Sequence, residues 1–257
     1  MKIVELPFPV HDEEEIVDVI VGALGSRTRL LVVDHVTSPS AIRMPLQKIL
    51  NFAVGRDLPV VVDGAHGPGN LPVDLASLAA AGAIAYVGHC HKWLCAPKNA
   101  AFLWTRSDWQ ARMHPAVIGN HHGDGYRESF LWPGTHDPGA WLAVSAALDF
   151  QAEFGPEAIQ TYCHALANQA ANTLAADWGT ERGTSSALAS GMTNVALPPG
   201  FDANLRSAER IRQSLRRDHN VEVPVIPIGH RLWVRISAFI YSEIEDYRRL
   251  SRAIAKL

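Results

Sequence analysis

The amino-acid sequence predicts an α/β fold, in which a mainly parallel sheet with flanking helices is followed by a small C-terminal α+β domain. Short β-rich runs alternate with helical stretches through the first half of the chain, which is the pattern of a parallel sheet covered by helices. The same alternation resumes near the C-terminus, after two consecutive helical stretches. Apolar residues make up 47% of the 257 residues, which is enough to fill a core in a chain of this length.

The first half of the chain contains the predicted strands of the main sheet. Each strand is a run of apolar and β-branched residues that ends in a polar or glycine-rich turn. The strands lie at residues 29–34 (RLLVVD), 58–63 (LPVVVD), 83–87 and 101–105 (AFLWT). The helices between them lie at 45–54 (PLQKILNFAV) and 74–81, and an acidic helix begins near Asp12.

The second half begins with residues 113–138, which are rich in His, Gly and Pro and show no clear period. A segment of this length inside a compact domain is usually functional or disordered. The remaining predicted elements are helices at 140–154 and 156–178, a strand at 193–197, a helix at 202–217, a strand at 231–238 and a helix at 242–256. We therefore predict a large domain with its connecting helix at 1–155 and a small domain at 156–257.

Composition and charge argue against several classes of protein. The formal net charge is −3, so the chain lacks the basic surface that binds nucleic acid or an anionic membrane. The longest apolar runs, such as 30–33 and 59–62, are far too short to cross a bilayer. Residues 1–12 lack the basic start and long apolar region of a signal peptide. Three cysteines without disulfide-like spacing favour a reducing cytoplasm.

Polar residues cluster where the predicted strands end. Asp34 and Asp63 close the first two strands, and residues 89–92 (HCHK) follow the third. Ligands of parallel sheets bind beyond the C-terminal ends of the strands, so we expect an acid and a lysine at one edge. A lysine just past an apolar strand can lose its charge through burial, as a lysine that attacks carbonyl groups requires.

Each of these residues also has an ordinary structural explanation. A lysine after a strand is usually a solvated surface residue, and an aspartate that ends a strand is more often a turn or helix cap. His89, Cys90, His91 and Cys95 are metal-ligand types, but on a strand Cys90 points away from the histidines and no second spaced pair completes a tetrahedral set. The glycines at 64–69 do not fit a dinucleotide fingerprint. The sequence therefore predicts no metal site.

Four longer motifs resemble the class V aminotransferase family, and in particular its isopenicillin N epimerase-like branch. They are DHVTSPSA (34–41), VVDGAHGPG (61–69), GHCHKWLCAPKNAAFLW (88–104) and GTHDPGAWLAV (134–144). Their order and spacing match the family, and the similarity extends over nearly the whole chain. The resemblance implies a fold of the pyridoxal 5′-phosphate (PLP)-dependent transferase type, with PLP as the cofactor.

The resemblance implies three residues around the reactive part of the cofactor. Lys92, in the HKW motif, would hold PLP as a Schiff base. Asp63, in DGAH, would pair with the pyridine nitrogen, because a protonated ring is the better electron sink. His66, in the same motif, would lie near the phenolic oxygen of the cofactor.

The resemblance also implies residues that bind the phosphate and the substrate. His89 and His91 would lie by the phosphate of the cofactor, although relatives commonly have Asn or Ser at the position of His89. Gly134 and Thr135 resemble the segment that reaches the phosphate of the neighbouring subunit, which implies a homodimer with a shared active site. Arg235, in the VRIS string, matches the arginine that clamps a substrate α-carboxylate, and its planar guanidinium suits that role.

The activity implied by the resemblance is chemistry at the α-carbon of an amino acid or amino-acid-derived substrate, with Lys92 as the base. Epimerisation is the leading expectation, and a PLP-dependent C–S lyase or aminotransferase is the alternative. A desulfurase needs a mobile catalytic cysteine, whereas Cys90 and Cys95 lie close to Lys92 in what the sequence predicts to be a rigid strand context. This makes a desulfurase the weaker hypothesis.

The resemblance begins partway along the family's fold, so we expect the large domain to be truncated. The N-terminal third of the family normally carries a phosphate-binding turn, a ring stacked on the cofactor and strands of the large sheet. We therefore expect an unpaired sheet edge. A third hypothesis also stays open, in which the chain is an inactive fragment or needs a partner to complete its site.

Overall fold

The structure is a computed structural model that describes residues 1–257. The helices are α1 (Glu13–Ala23), α2 (Leu46–Val54), α3 (Leu75–Ala80), α4 (Tyr126–Leu131), α5 (Gly139–Leu142), α6 (Val144–Phe154), α7 (Pro156–Trp178), α8 (Leu205–His219) and α9 (Ile244–Ile254). The strands are β1 (Leu31–Asp34), β2 (Val60–Gly64), β3 (Ala83–His89), β4 (Ala101–Thr105), β5 (Met192–Ala196), β6 (Val225–Ile228) and β7 (Arg231–Ser237). Short 3-10 helices lie at Ser107–Arg112 and Ser186–Leu188. The strands form two separate sheets.

The first sheet has the strand order β1-β2-β3-β4. Its first three strands are parallel and β4 is antiparallel, so the predicted mainly parallel sheet is confirmed. Valines dominate β1 and β2, because β-branched side chains pack well on a buried pleated surface. One face packs on α1 and α2 around Ile16, Leu50 and Val62. Asp34 is the register partner of Asp63, so two carboxylates end adjacent strands at the same edge.

The second sheet has the order β5-β7-β6, and both of its strand pairs are antiparallel. Residues of α7, α8 and α9 join this sheet in a separate core cluster. Two of these helices have side-chain caps: Asn204 accepts a hydrogen bond from the Ser207 N–H at 2.8 Å at the start of α8, and Glu243 with Asp246 forms a capping box at the start of α9. Each sheet therefore has its own core, while the domain boundary after residue 155 stays a prediction.

A buried asparagine connects the two sheets. The side-chain amide of Asn70 donates to the His66 carbonyl at 3.0 Å and to the Ser190 hydroxyl at 3.1 Å. Its side-chain oxygen accepts the Gly191 N–H at 2.9 Å. Asn70 is 2% exposed, and unmade hydrogen bonds at such a position would be costly. The turn after β2 is thereby fixed to the segment that enters β5.

The two outer strands of the first sheet each have a single neighbour. β1 pairs only with β2, and β4 pairs only with β3. Val32 in β1 is 62% exposed. Beside β1, an apolar groove of about 610 Å³ is lined in part by Met1, Ile3 and Leu31. The sheet thus has the unpaired edge that the sequence predicts.

The structure differs from the sequence-based prediction mainly in connecting segments. Helix α4 forms within the predicted loop 113–138, and the predicted helix 140–154 is divided into α5 and α6 at Ala143. The sequence does not predict β6, because Pro227 interrupts its apolar run. β6 is an edge strand, where proline is tolerated. None of the helices combines the length and the apolar character needed to cross a membrane.

Candidate active site

The segment that carries the candidate lysine is a tight turn. β3 ends at His89, and the turn that follows is closed by a hydrogen bond from the Ala96 N–H to the Cys90 carbonyl at 3.0 Å. The prediction that Cys90 and Cys95 lie in a strand is therefore wrong, because the chain must reverse its direction to enter the antiparallel β4. Cys90 is buried, whereas Cys95 is exposed and has a φ of 63°.

Lys92 and Trp93 contact opposite nitrogens of one imidazole ring. The Nζ of Lys92 lies 3.1 Å from Nε2 of His66. The indole N–H of Trp93 donates to Nδ1 of His66 at 3.3 Å. A neutral imidazole carries a single N–H, so when Nδ1 accepts, the proton is on Nε2 and faces Lys92. Lys92 can accept that hydrogen bond only as a neutral amine, so Trp93 fixes the tautomer that favours an uncharged lysine.

The electrostatic environment favours the same protonation state. Burial lowers the pKa of Lys92; the charge of Arg235 lowers it further, while Asp63 and Asp34 raise it. Burial also lowers the pKa of His66 to about 3, and the charge of Lys92 contributes in the same direction. The neutral amine is the nucleophilic form of lysine, so the site keeps Lys92 closer to its reactive form than a surface lysine.

We expect the two charges beside Lys92 to shift its pKa in opposite directions when they are removed. Asp63→Asn removes a negative charge that raises the pKa of Lys92, so this pKa should fall. Arg235→Gln removes a positive charge that lowers it, so it should rise. Competitive acetylation at a series of pH values, read by mass spectrometry of the Lys92 peptide, measures the titration midpoint. The exposed Lys98 is an internal control, and shifts of the same sign in both variants would contradict this account.

Asp63 lies in the same site as Lys92. Its Oδ1 accepts the Ala65 N–H at 2.9 Å, so it is also the turn-capping residue that its position at a strand end suggests. Its charge raises the pKa of Lys92 and that of Tyr86. Burial and the neighbouring Asp63 raise the pKa of Asp34. The charge of Asp63 thus acts on Lys92, while the role that the resemblance implies for Asp63 stays a prediction.

The two histidines before Lys92 stack on each other. The ring centroids of His89 and His91 are 4.6 Å apart, although only His89 belongs to β3. The Nδ1 of His91 donates to the Ala100 carbonyl at 3.0 Å. The Nδ1 of His89 is buried and has no hydrogen-bond partner, which is unusual for a buried polar atom. This pair therefore offers an unsatisfied nitrogen beside the lysine turn.

Arg235 reaches the site from the second sheet. It lies in β7, and its Nη1 donates to the Ser38 carbonyl at 2.6 Å and to the Ser38 hydroxyl at 3.2 Å. Its charge lowers the pKa of both Lys92 and His66. Both sheets therefore contribute charged groups to one site.

Thr135 is the predicted site residue that lies apart from the others. It is exposed in the segment between α4 and α5, directly after Gly134, which has a φ of 126°. The role that the resemblance implies for Thr135 concerns a neighbouring subunit. It stays a prediction.

The sequence analysis missed a buried pair beneath the lysine site. The hydroxyl of Tyr86 lies 3.0 Å from Nδ1 of His35, and burial lowers the pKa of His35 to about 4. A Cβ atom at Gly67 would lie 2.0 Å from the Tyr86 hydroxyl, so the turn that carries His66 rests directly on this ring. The glycines on either side of His66 indicate a close approach, but they do not reveal which side chain approaches.

A cavity of about 220 Å³ opens beside Lys92, and six of its nine lining residues are hydrophobic. The lining residues are His66, Lys92, Trp93, Cys95, Met192, Ser237, Ala238, Phe239 and Tyr241. A concave, mostly apolar space with a few polar groups is typical of a small-molecule site.

These groups fit the PLP cofactor that the family resemblance implies. A neutral Lys92 amine suits the aldehyde of PLP, and the Asp63 carboxylate suits a protonated ring nitrogen. The buried His89 Nδ1 lacks a partner within the chain, and it suits a phosphate oxygen. The structure contains no group of three or more His, Cys, Asp or Glu residues that could hold a metal ion.

Comparisons with known proteins identify the family that the chain resembles. The family described as Aminotransferase class-V matches residues 2–250. The probable chloroplastic L-cysteine desulfhydrase of Arabidopsis thaliana is 33% identical over 272 residues, which cover 98% of this chain and 57% of that protein. The isopenicillin N epimerase of Streptomyces clavuligerus is 32% identical over 275 residues, which cover 100% of this chain and 67% of that protein. The chain thus spans little more than half the length of the desulfhydrase.

A solved structure shares the fold. The cysteine desulfurase CsdA of Escherichia coli superimposes with a TM-score of 0.74 at 19% sequence identity, over 93% of this chain and 61% of that chain. At this level of identity the likeness concerns the fold alone. It extends over both sheets of the chain.

Proposed function

Because this chain belongs to the class V aminotransferase family, whose cofactor is PLP, we propose that it acts on an amino acid or amino-acid-derived substrate through Lys92. The observation that carries the proposal is the 3.1 Å contact between Lys92 and His66, with Asp63 and Arg235 in the same site. This set combines an amine whose pKa is lowered by burial, a carboxylate and a guanidinium, which are the groups that α-carbon chemistry with PLP requires. When bound, PLP supplies an electron sink for a carbanion at the α-carbon.

Lys92 has two roles in the proposed reaction. Lys92 would hold the cofactor through its amine, and as a free amine it would take the proton from the α-carbon of the substrate. The Nε2–H of His66 directs the lone pair of Lys92, because it donates to that nitrogen. The cavity wall around Lys92 is mostly apolar, and partial burial lowers the pKa of the amine.

The remaining site residues bind and orient. Asp63 pairs with the ring nitrogen, and His89 and His91 lie by the phosphate. Arg235 holds the α-carboxylate of the substrate, since a guanidinium binds a carboxylate in a bidentate manner. Thr135 contacts the phosphate of a neighbouring subunit, so the proposal includes a homodimer with a shared active site. It also includes the reducing cytoplasm that the cysteines suggest.

We propose an epimerase-like outcome as the first candidate. The motifs around Asp63 and Lys92 support it, and so does the isopenicillin N epimerase whose sequence covers the whole of this chain. A C–S lyase outcome is the second candidate, because the probable chloroplastic L-cysteine desulfhydrase of Arabidopsis thaliana is about equally similar. An aminotransferase outcome would need the proton to return to the cofactor rather than to the substrate.

The cysteines give a desulfurase outcome less support than the two candidates above. The reason is the pKa of the thiols rather than the rigid strand context that the sequence suggests. Cys95 lines the Lys92 cavity and lies in a turn rather than a strand. Burial raises the pKa of both the Cys90 and the Cys95 thiol. A thiol that attacks sulfur must be a thiolate, so neither residue is poised as that nucleophile.

The fate of the α-hydrogen tests the proposed function. With PLP and a panel of amino acids in heavy water, we expect exchange of the α-hydrogen without formation of a keto acid if the outcome is epimerisation. With L-cysteine, a C–S lyase would instead release sulfide, pyruvate and ammonia. Mass spectrometry and a sulfide assay read both outcomes.

Loss of exchange in Lys92→Ala, with exchange retained in a variant at the exposed Lys98, would assign the proton transfer to Lys92. A chain that stayed colourless with added PLP and gave neither outcome would refute activity of the isolated chain. That result would favour the hypothesis of an inactive or partner-requiring fragment.

A further inference from the structure

Two buried polar atoms beside the proposed carboxylate site have no hydrogen-bond partner. They are Nε of Arg235 and Oδ1 of Asn194. Asn194 is 0% exposed, and polar atoms buried in this way are nearly always hydrogen-bonded. One of the two atoms is a donor and the other is an acceptor, so each could satisfy the other.

The two side chains are neighbours across the second sheet. Asn194 in β5 is the register partner of Arg235 in β7, and the two strands are antiparallel. Side chains directly opposite each other project from the same face, with Cβ atoms about 4.5–5.5 Å apart. Rotation of the Arg235 side chain can therefore bring its Nε to Oδ1 of Asn194 without moving the backbone.

Both side chains also hold the same loop of the first half of the chain. The Nδ2 of Asn194 donates to the Pro39 carbonyl at 2.9 Å, and Nη1 of Arg235 donates to the carbonyl of the preceding residue, Ser38, at 2.6 Å. The guanidinium of Arg235 thus donates to uncharged oxygens of Ser38. A carboxylate is the stronger acceptor, because it is charged and can receive two parallel N–H bonds.

We propose that Asn194 is a positioning residue that sets Arg235 for a carboxylate ligand. This inference rests on the role proposed above for Arg235. When a carboxylate binds, Arg235 exchanges Ser38 for the ligand, and its Nε donates to Oδ1 of Asn194. Asn194 keeps its hydrogen bond to Pro39, so the loop stays in place while the guanidinium turns.

The Nε–H resonance of Arg235 provides the test. In a chain with ¹⁵N-labelled arginine, this resonance is assigned by its loss in Arg235→Lys. Sodium propionate should shift it and slow its hydrogen exchange, whereas neutral propionamide should do neither. Asn194→Ala should weaken propionate binding about tenfold, as expected for one lost hydrogen bond to a charged group, and the exchange should stay fast.

Two further variants make the test decisive. Asn172→Ala removes the acceptor of a different arginine, since Arg182 donates to Asn172 at 3.0 Å, and should leave propionate binding unchanged. Asn194→Asp keeps an acceptor but adds a charge that competes with propionate for Arg235, so binding should weaken further than in Asn194→Ala. If Asn194→Ala does not fold, Asn194→Asp provides the test of the proposal.

Wild-type propionate affinity in folded Asn194 variants would overturn the proposal, and so would a wild-type chain that does not respond to propionate. None of these measurements uses the cofactor. Failure of PLP to attach to Lys92, which would refute the proposed function, is seen separately in the absorbance spectrum.

Discussion

Lys92→Ala is expected to abolish covalent attachment of PLP to the chain and to reduce α-hydrogen exchange by a factor of at least about 10²–10⁴, the usual contribution of a positioned base. The physical reason is that Lys92 is the amine that the resemblance assigns to the cofactor and whose pKa the site lowers. Burial lowers its pKa, and Nε2 of His66 lies 3.1 Å from its nitrogen. Absorbance with added PLP, followed by borohydride reduction and mass spectrometry of the peptides, measures the attachment.

Lys98 provides the matched control for this experiment. It lies six residues further along the same connection, it is exposed, and it is not among the residues that line the cavity beside Lys92. Lys98→Ala should therefore retain the absorbance band and the reducible bond. Retention of both in Lys92→Ala, or reduced PLP found on another lysine, would show that the site assignment is wrong.

Gly69→Ala is expected to lower the free energy of unfolding by roughly 2–5 kcal/mol, since two destabilising effects combine at this position. Gly69 has a φ of 81°, which side chains rarely adopt. A Cβ atom there would lie 2.7 Å from both the carbonyl carbon and the carbonyl oxygen of Trp93. The neighbour is backbone and cannot rotate away, so the turn that carries Lys92 must move. Denaturant unfolding measures the loss.

Gly22→Ala is the control with the opposite sign. Gly22 lies in α1, where an added Cβ would meet nothing within 4 Å. Alanine is the better helix former by about 0.5–1 kcal/mol, so this variant should be slightly more stable than the natural chain. If Gly69→Ala were as stable as Gly22→Ala and kept the lowered pKa of Lys92, the close packing of Gly69 on Trp93 would be disproved.

Local sequence patterns are sufficient to predict most of the first sheet. The valine runs that predict β1 and β2 form those strands, because an apolar β-branched run has few alternatives once it is buried. The juxtaposition of Asp63 with Lys92 is likewise predictable, since the ends of neighbouring parallel strands meet at one edge. The family resemblance was needed to connect Arg235 with them, because Arg235 lies in a different sheet.

The contacts that set the chemistry of the site are less accessible from sequence. The hydrogen bond from Trp93 to His66 joins residues that are 27 positions apart, and no local pattern specifies it. The same holds for the pair of His35 and Tyr86, which are 51 positions apart. Such contacts depend on how the turns pack after the strands have formed, and a one-dimensional pattern does not contain that information.

Because residues of both sheets form the site, a ligand that binds there affects the stability of both sheets. Arg235 touches Ser38 across the junction, and Asn70 fixes the same junction from within. A small anion that binds Arg235 only in the native state raises the free energy of unfolding. The increase grows with the concentration of the anion relative to its dissociation constant. Saturation should therefore raise the midpoint of thermal unfolding and protect the connection between the halves from proteases.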